Sequence, residues 1–267
     1  HHAILMHILP TVEARLGAEQ AGFRAGRNCA EQVFALHEGW NAVARSAMTT
    51  ASSGDRAKNA KAMARAATPV AAFLDFRKAF DTVTHAAVEA ALVEFGISPP
   101  VASLVMDHVR NAHVRIMTAH GLTDPIRATQ GVPQGGVLSP TLFNMCLHSI
   151  LAAAHKHTGG GPALDGVSAS ITRLAALAYA DDVVLLAANL AELRVVVADF
   201  AAAAKASGLL INASKSAVML RTAPMATKAP GTLQLHYPVQ TTRTATTMVA
   251  SSIRAQLKAE PILVETG

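Results

Sequence analysis

The chain has 267 residues, 51% hydrophobic and 15% charged, with 23 Lys and Arg against 18 Asp and Glu. That length supports a sizeable core, and the low charge excludes a disordered polyelectrolyte or a charged coiled coil. Two cysteines exclude a disulfide framework or a Cys-rich zinc module within the chain, and no apolar run reaches the roughly 18 residues of a spanning helix, so a reducing, intracellular setting away from membranes is expected.

In chain order, the N-terminus lacks the pattern of a secretory signal, and its start at His1 reads as a fragment or processed piece. Residues 1–45 read as helix with a break near Gly22–Gly26, and residues 46–68 as a loop leading into a polar helical turn. Residues 70–76 are short and apolar and end in the carboxylate of Asp75 before Phe76, as a buried strand would. Thr84 caps a predicted helix that Gly96 closes, and Ser98-Pro99 opens another that runs to about Asn111. Val114–Met117 and Ile126–Thr129 read as a strand pair joined by a turn around Gly121–Pro125. Gly131–Gly136 is a loop, Ser139-Pro140 starts a helix to about His157, and Thr158–Pro162 is a linker. Leu174–Tyr179 and Val183–Ala187 form the arms of a hairpin around Ala180-Asp181-Asp182. Asn189 and Glu192 have capping-box spacing for a helix that ends at Gly208. Leu209–Asn212 and Ala217–Leu220 are short strand candidates, and residues 222–267 lose all periodicity. Strands mixed with returning helices predict an α+β layer.

Three acids interrupt apolar surroundings. Asp75 ends a strand, while Asp181 and Asp182 lie between two apolar arms. Burying unpaired carboxylates costs several kcal/mol, and adjacent ones repel. Two readings stay open: a solvated turn at a hairpin tip, or a cluster held together by divalent cations such as Mg²⁺ or Mn²⁺. Charge is also uneven. Basic residues exceed acidic ones eight to five in residues 1–70 and eight to four in 183–267, but are outnumbered seven to nine in 71–182. An acidic centre between basic flanks suits a metal site gripped by polyanion-binding arms.

Five segments then fall in a telling order: Gln20-Ala-Gly-Phe-Arg-Ala-Gly-Arg-Asn-Cys29, Phe73-Leu-Asp-Phe-Arg-Lys-Ala-Phe-Asp81, Gln130-Gly-Val-Pro-Gln-Gly-Gly-Val-Leu-Ser-Pro140, Tyr179-Ala-Asp-Asp182 and Gly208-Leu-Leu-Ile-Asn-Ala-Ser-Lys215. Together they resemble the motifs of reverse transcriptases, most of all those of non-LTR, LINE-type retrotransposons, across about three quarters of the chain. The resemblance implies a polymerase palm, a ferredoxin-like sheet with helices on one face. Residues 1–69 would be partial fingers, 70–221 the palm, and 222–267 an irregular or decayed tail without a recognisable thumb.

It further implies that Asp75, Asp181, Asp182 and the carbonyl of Phe76 hold two Mg²⁺ or Mn²⁺ ions, with the three carboxylates within bridging distance. Phe80 would lie under the incoming sugar and exclude a 2′-hydroxyl. Gln134 and Gly135 would line the nucleotide and template pocket, Tyr179 would lie near the primer end, and Lys215 near the leaving pyrophosphate. Arg24 and Arg27 would meet template or phosphate. Lys78 and Asp81 match the family's positions as well. RNA template, DNA primer and deoxynucleoside triphosphates are the implied partners. The alternatives are a catalytically inactive palm that binds RNA or a partner, and a group II intron maturase-like protein. His113, His120, His155 and His157 are expected to be ordinary surface or helix-end residues.

Overall fold

The computed structural model describes residues 1–50, 69–158 and 175–220. The expected linker after Thr158, most of the loop expected at 46–68 and the tail at 222–267 lie outside these residues. Helix α1 (His2–Glu13) buries Ile8 and Val12. Helix α2 (Cys29–Thr50) opens where the Asn28 side chain accepts the Glu31 N–H at 2.9 Å. It continues through residues 46–50, where a loop is expected. Ala-Met-Thr-Thr carries no glycine or proline, so nothing local stops it.

Four strands form the sheet: β1 (Val70–Leu74), β6 (Ala176–Tyr179), β7 (Asp182–Ala187) and β8 (Ala217–Leu220). Their order is β6-β7-β1-β8, antiparallel throughout. β1 pairs with β7 from Val70↔Ala187 to Leu74↔Val183, and with β8 from Val70↔Leu220 to Phe73↔Ala217. Both faces of these strands are packed, one on the main core and one on α2, which explains why β1 and β7 read as apolar runs rather than an alternation.

Alternation along these strands divides the core in two. Val70, Ala72, Leu74, Val183, Leu185 and Ala187 face the main helical layer. That layer holds α6 (Ser139–Thr158) and α7 (Leu190–Ala206), which pack on each other and on the sheet. Ala71, Leu177 and Leu186 face the other way, against Ala35, Leu36 and Trp40 of α2. The fold is α+β as expected, and α2 adds a cover to the face opposite the main helical layer.

Local signals placed most helix ends. A short helix, α3 (Ala79–Thr82), follows Asp75 and leads to α4 (His85–Glu94), where Thr84 Oγ1 accepts the Ala87 N–H at 3.2 Å. Asn189 Oδ1 likewise accepts the Glu192 N–H at 2.9 Å at the start of α7. Ser98 precedes α5 (Pro99–Arg110) but makes no side-chain cap bond. Pro100, in the second helical position, has no N–H to offer it.

Residues 113–127 form two small ladders instead of one strand pair. β2 (His113–Val114) pairs with β5 (Ile126–Arg127), and β3 (Met117–Thr118) with β4 (Gly121–Leu122). The turn falls at Ala119-His120, ahead of its expected place. Thr118 Oγ1 accepts the His120 N–H at 3.2 Å and donates to the Gly121 carbonyl at 2.8 Å, and Gly121 takes φ +111°. Leu209–Asn212 is not a strand either; Ile211 alone bridges to Phe76. The chain turns at once at Asn212, whose carbonyl accepts from Lys215 N–H at 3.0 Å and Ser216 N–H at 2.9 Å. No helix among the described residues is long and apolar enough to cross a membrane.

Candidate active site

The sheet brings the predicted carboxylates to one end and one face. Leu74 pairs with Val183, so continuing the register by one residue sets Asp75 beside Asp182. Both fall on the alternation opposite Leu74 and Val183, which face the main core. Asp181 occupies the two-residue turn between Tyr179 and Asp182, which pair with each other. Ala180, the first turn residue, has φ +58°. That conformation suits glycine at this position of a tight hairpin.

Asp75 is held by its backbone. Its N–H donates to Ser216 Oγ at 3.2 Å, and its carbonyl accepts the Asn212 N–H at 2.7 Å. Arg77 N–H donates to the Leu210 carbonyl at 2.8 Å. These two backbone bonds flank the Phe76–Ile211 bridge, so the N–H and C=O of Phe76 point away from residue 211, toward the side where β7 gives way to the Asp181 turn. The Phe76 ring is buried and stacks on Phe200, 6.1 Å between centroids.

The charges here are only partly compensated. Asp75 Oδ2 is buried and accepts no hydrogen bond, with the Lys215 ammonium 3.9 Å away as its ion-pair partner. Lys215 is otherwise well exposed. Partial burial raises the Asp182 carboxyl above its ordinary pKa, and the charges of Asp181 and then Asp75 add to the shift. Among the described residues, no three His, Cys, Asp or Glu side chains close into an ion cage. Asp182 is exposed, while Asp75 and Asp181 are half-buried. The donor set of hard oxygens, with one buried carboxylate oxygen that accepts no hydrogen bond, fits divalent cations of the Mg²⁺ type.

A loop and an aromatic stack form the neighbouring wall. Phe80, half-buried on α3, stacks on the buried Phe143 at 4.6 Å and meets Phe23 edge-on at 6.0 Å. Phe23 is exposed and has φ +61°. The Gly131 loop is tied to α3: Val132 N–H donates to the Phe80 carbonyl and Gly131 N–H to the Val83 carbonyl, both at 2.7 Å. A side chain at Gly131 would collide with the Asp81 carbonyl oxygen, only 2.7 Å from where its β carbon would sit, and φ there is +84°. His85 Nε2 donates to the Gly131 carbonyl at 3.2 Å; burial lowers the pKa of this imidazole, with Arg110 and Arg127 adding to the effect. Gln134 and Gly135 are exposed at the loop tip, and Gln134 Nε2 donates to Asp81 Oδ1 at 3.3 Å. Tyr179 is exposed beside the hairpin turn.

The two arginines bond within the segment from Glu13 to Glu31. Arg24 has a side chain only 8% exposed; it ion-pairs with Glu13 at 2.9 Å and donates to the Gly17 and Gln20 carbonyls at 2.7 and 2.8 Å. Arg27 pairs with Glu31 at 2.8 Å and donates to the Ala18 carbonyl at 2.5 Å. Both knit the turn between α1 and α2. Sequence reasoning misses Ser216, which aims the Asp75 backbone, and the buried Gln20–Asn144 pair. A polar residue inside an apolar stretch, such as Asn144 within Leu142-Phe-Asn-Met145, is the signal that could find it.

Comparison with known proteins gives the family and the fold. The profile of the family described as reverse transcriptase (RNA-dependent DNA polymerase) matches residues 2–249. Similar curated proteins include the Pol polyprotein of the type-1 retrotransposable element R2 of Popillia japonica, 37% identical over 116 residues, which is 42% of this chain and 18% of that protein. The corresponding R2 protein of Nasonia vitripennis is 35% identical over 43% of this chain and 11% of its own length. The chain thus spans a fifth or less of the curated relatives it matches. In structure it is similar to apo telomerase from Candida tropicalis truncated from its C-terminal domain, with TM-score 0.58 and 14% identity, covering 86% of this chain and 42% of that one. At that identity the likeness speaks to fold alone.

Proposed function

The chain belongs to the reverse transcriptase (RNA-dependent DNA polymerase) family, and from that premise we propose that it is the polymerase palm of a non-LTR retrotransposon protein, with residues 1–69 contributing part of the fingers. It would extend a DNA primer on an RNA template with deoxynucleoside triphosphates. The observation that carries this reading is the register of β1 on β7, which sets Asp75 next to Asp182 on one sheet face beside the Asp181 turn.

Asp75, Asp181, Asp182 and the Phe76 carbonyl are the oxygens that would hold two divalent cations, Mg²⁺ or Mn²⁺, which when bound stabilise charge on the attacking and leaving oxygens. The chain's own side chains supply position. Phe80, backed by Phe143, would lie under the sugar and exclude a 2′-hydroxyl. Gln134 and Gly135 would border the base pair being formed, with Gln134 steadied by Asp81. Tyr179 would support the primer end. Lys215, close to Asp75, would hold a proton near the departing pyrophosphate. Arg24 and Arg27 would serve the template side by shaping the turn between α1 and α2, since their guanidiniums are engaged within the protein. Much of the rate would come from such positioning and charge neutralisation.

Primer extension on an RNA template, with Mg²⁺ or Mn²⁺ and deoxynucleotides, tests the reading. Extension by this chain is expected, and none by the Asp181→Ala/Asp182→Ala variant. If neither extends a primer, yet the chain still binds an RNA–DNA hybrid, a non-catalytic palm replaces the proposal.

A further inference from the structure

The outer edge of the carboxylate hairpin is not bare. β6 is the edge strand of the sheet, and residues 19–21 run alongside it. Ala178 N–H donates to the Glu19 carbonyl at 2.8 Å, and Ala21 N–H donates to the Ala178 carbonyl at 2.9 Å. Gln20 bridges Ala178 in the parallel sense. This segment is gripped in turn from the helical layer. Gln20 Nε2 donates to Asn144 Oδ1, and Asn144 Nδ2 donates to the Gly22 carbonyl, each at 2.8 Å. Gln20 is 0% exposed and Asn144 2%. Gln20 Oε1 stays buried without a hydrogen-bond partner, a cost the link carries, and a site that needed only filling would suit Leu better.

The contact ends on the turn itself. A β carbon on Gly22 would collide with the Ala180 nitrogen and lie 2.9 Å from the Tyr179 carbonyl carbon. Ala180, which directly precedes Asp181, has its positive φ at this point of contact. The next residue after Gly22, Phe23, also has positive φ and lays its ring edge-on against Phe80. One short segment thus touches both halves of the candidate site.

We propose that Gln20, Gly22 and Asn144 form a brace that fixes the Ala180–Asp182 turn, and with it the spacing between the carboxylate pair and the Phe80 ring. They are positioning residues; the brace acts from behind the hairpin and through its backbone. The proposal rests on the reading of Asp75, Asp181 and Asp182 as metal ligands.

The test is Tb³⁺ binding to the full chain, a hard-cation probe read by luminescence sensitised through Tyr179, with Asp181→Asn/Asp182→Asn as the blank. Removing outer groups that orient metal ligands costs affinity about 10–100-fold, so Gly22→Ala and Asn144→Ala should bind about tenfold more weakly or worse. Val105→Ala, a buried truncation on α5, serves as a destabilised control and should bind like wild type. Should Gly22→Ala not fold, Asn144→Ala and Gln20→Ala decide the matter. Hydrogen exchange at Ala178 and Asp182 should also quicken in Asn144→Ala, while β1 stays protected. Wild-type affinity in the brace variants overturns the brace and leaves the metal reading standing. An equal loss in Val105→Ala overturns it as well, because the effect would then be general loosening. If the wild type shows no binding above the carboxylate blank, the metal reading and the brace fall together.

Discussion

Ala180 holds φ +58° at the turn that carries Asp181, a region where an L side chain costs roughly 1–2 kcal/mol. Ala180→Gly should relieve that strain and raise stability by about 1 kcal/mol, read as a higher urea midpoint; an unchanged or lower midpoint would show that the turn stores no strain. Phe80 makes a different prediction. Its ring is half-buried between Phe143 and Phe23, so truncation removes bulk at the wall without unroofing the core. Phe80→Ala should raise ribonucleotide incorporation relative to deoxynucleotide by about tenfold or more. Unchanged sugar selectivity in an active variant would reject the role. His85 carries a pH signature. Its pKa is lowered in the fold from the ordinary 6.5, by burial first, so the native state favours the neutral ring. Its contribution is fully present above the unfolded pKa and is lost as pH falls below about 6.5 toward the folded value. Wild type should therefore lose more stability than His85→Gln between about pH 7.5 and about pH 5, measured as urea midpoints; parallel curves would exclude it.

At the scale of elements, the helix starts are the most legible part of the chain. Thr84 and Asn189 cap as their spacing implies, because capping is a contact within one turn. Asn189→Ala should cost about 1 kcal/mol, seen in thermal or urea unfolding; a loss near zero would mean that Glu192, whose Oε2 accepts the Ala188 N–H at 3.0 Å, carries the helix start alone. The carboxylates are legible for a related reason. A strand-ending acid and an acid pair between two apolar arms are anomalies that burial makes costly, so they stand out in the sequence itself. What lies between residues 113 and 127 is less readable, since strands of two residues have no period to detect and the turn depends on one threonine side chain. For Arg24 and Arg27 the sequence leaves the bonding partners open. Charge alone says that an arginine needs acceptors, but not whether they are the chain's own carbonyls.

Across the whole molecule, the sequence implies the class of layer but not the order of strands. β1 lies in the middle of the sheet although it comes first, flanked by β7 and β8. Such a crossover leaves no local mark, because it is decided by which apolar faces meet. The cover of α2 on the second face is of the same kind: Ala35, Leu36 and Trp40 read as an ordinary amphipathic stripe until a sheet stands opposite.

That strand order also has a consequence in time. Val70–Leu74 is synthesised more than a hundred residues before either of its neighbours, Asp182–Ala187 and Ala217–Leu220. Long-range pairing must close large loops before it gains anything, and that slows folding. On the ribosome, β1 would emerge as an apolar strand with both edges open and wait through the making of α3 to α6. Asp75 becomes the neighbour of Asp182 only when the hairpin emerges, and its backbone is secured by Ser216 later still. The nascent chain is thus most prone to aggregation before it has a centre at all, and the carboxylate end of the sheet forms only after β7 and Ser216 have followed β1 out.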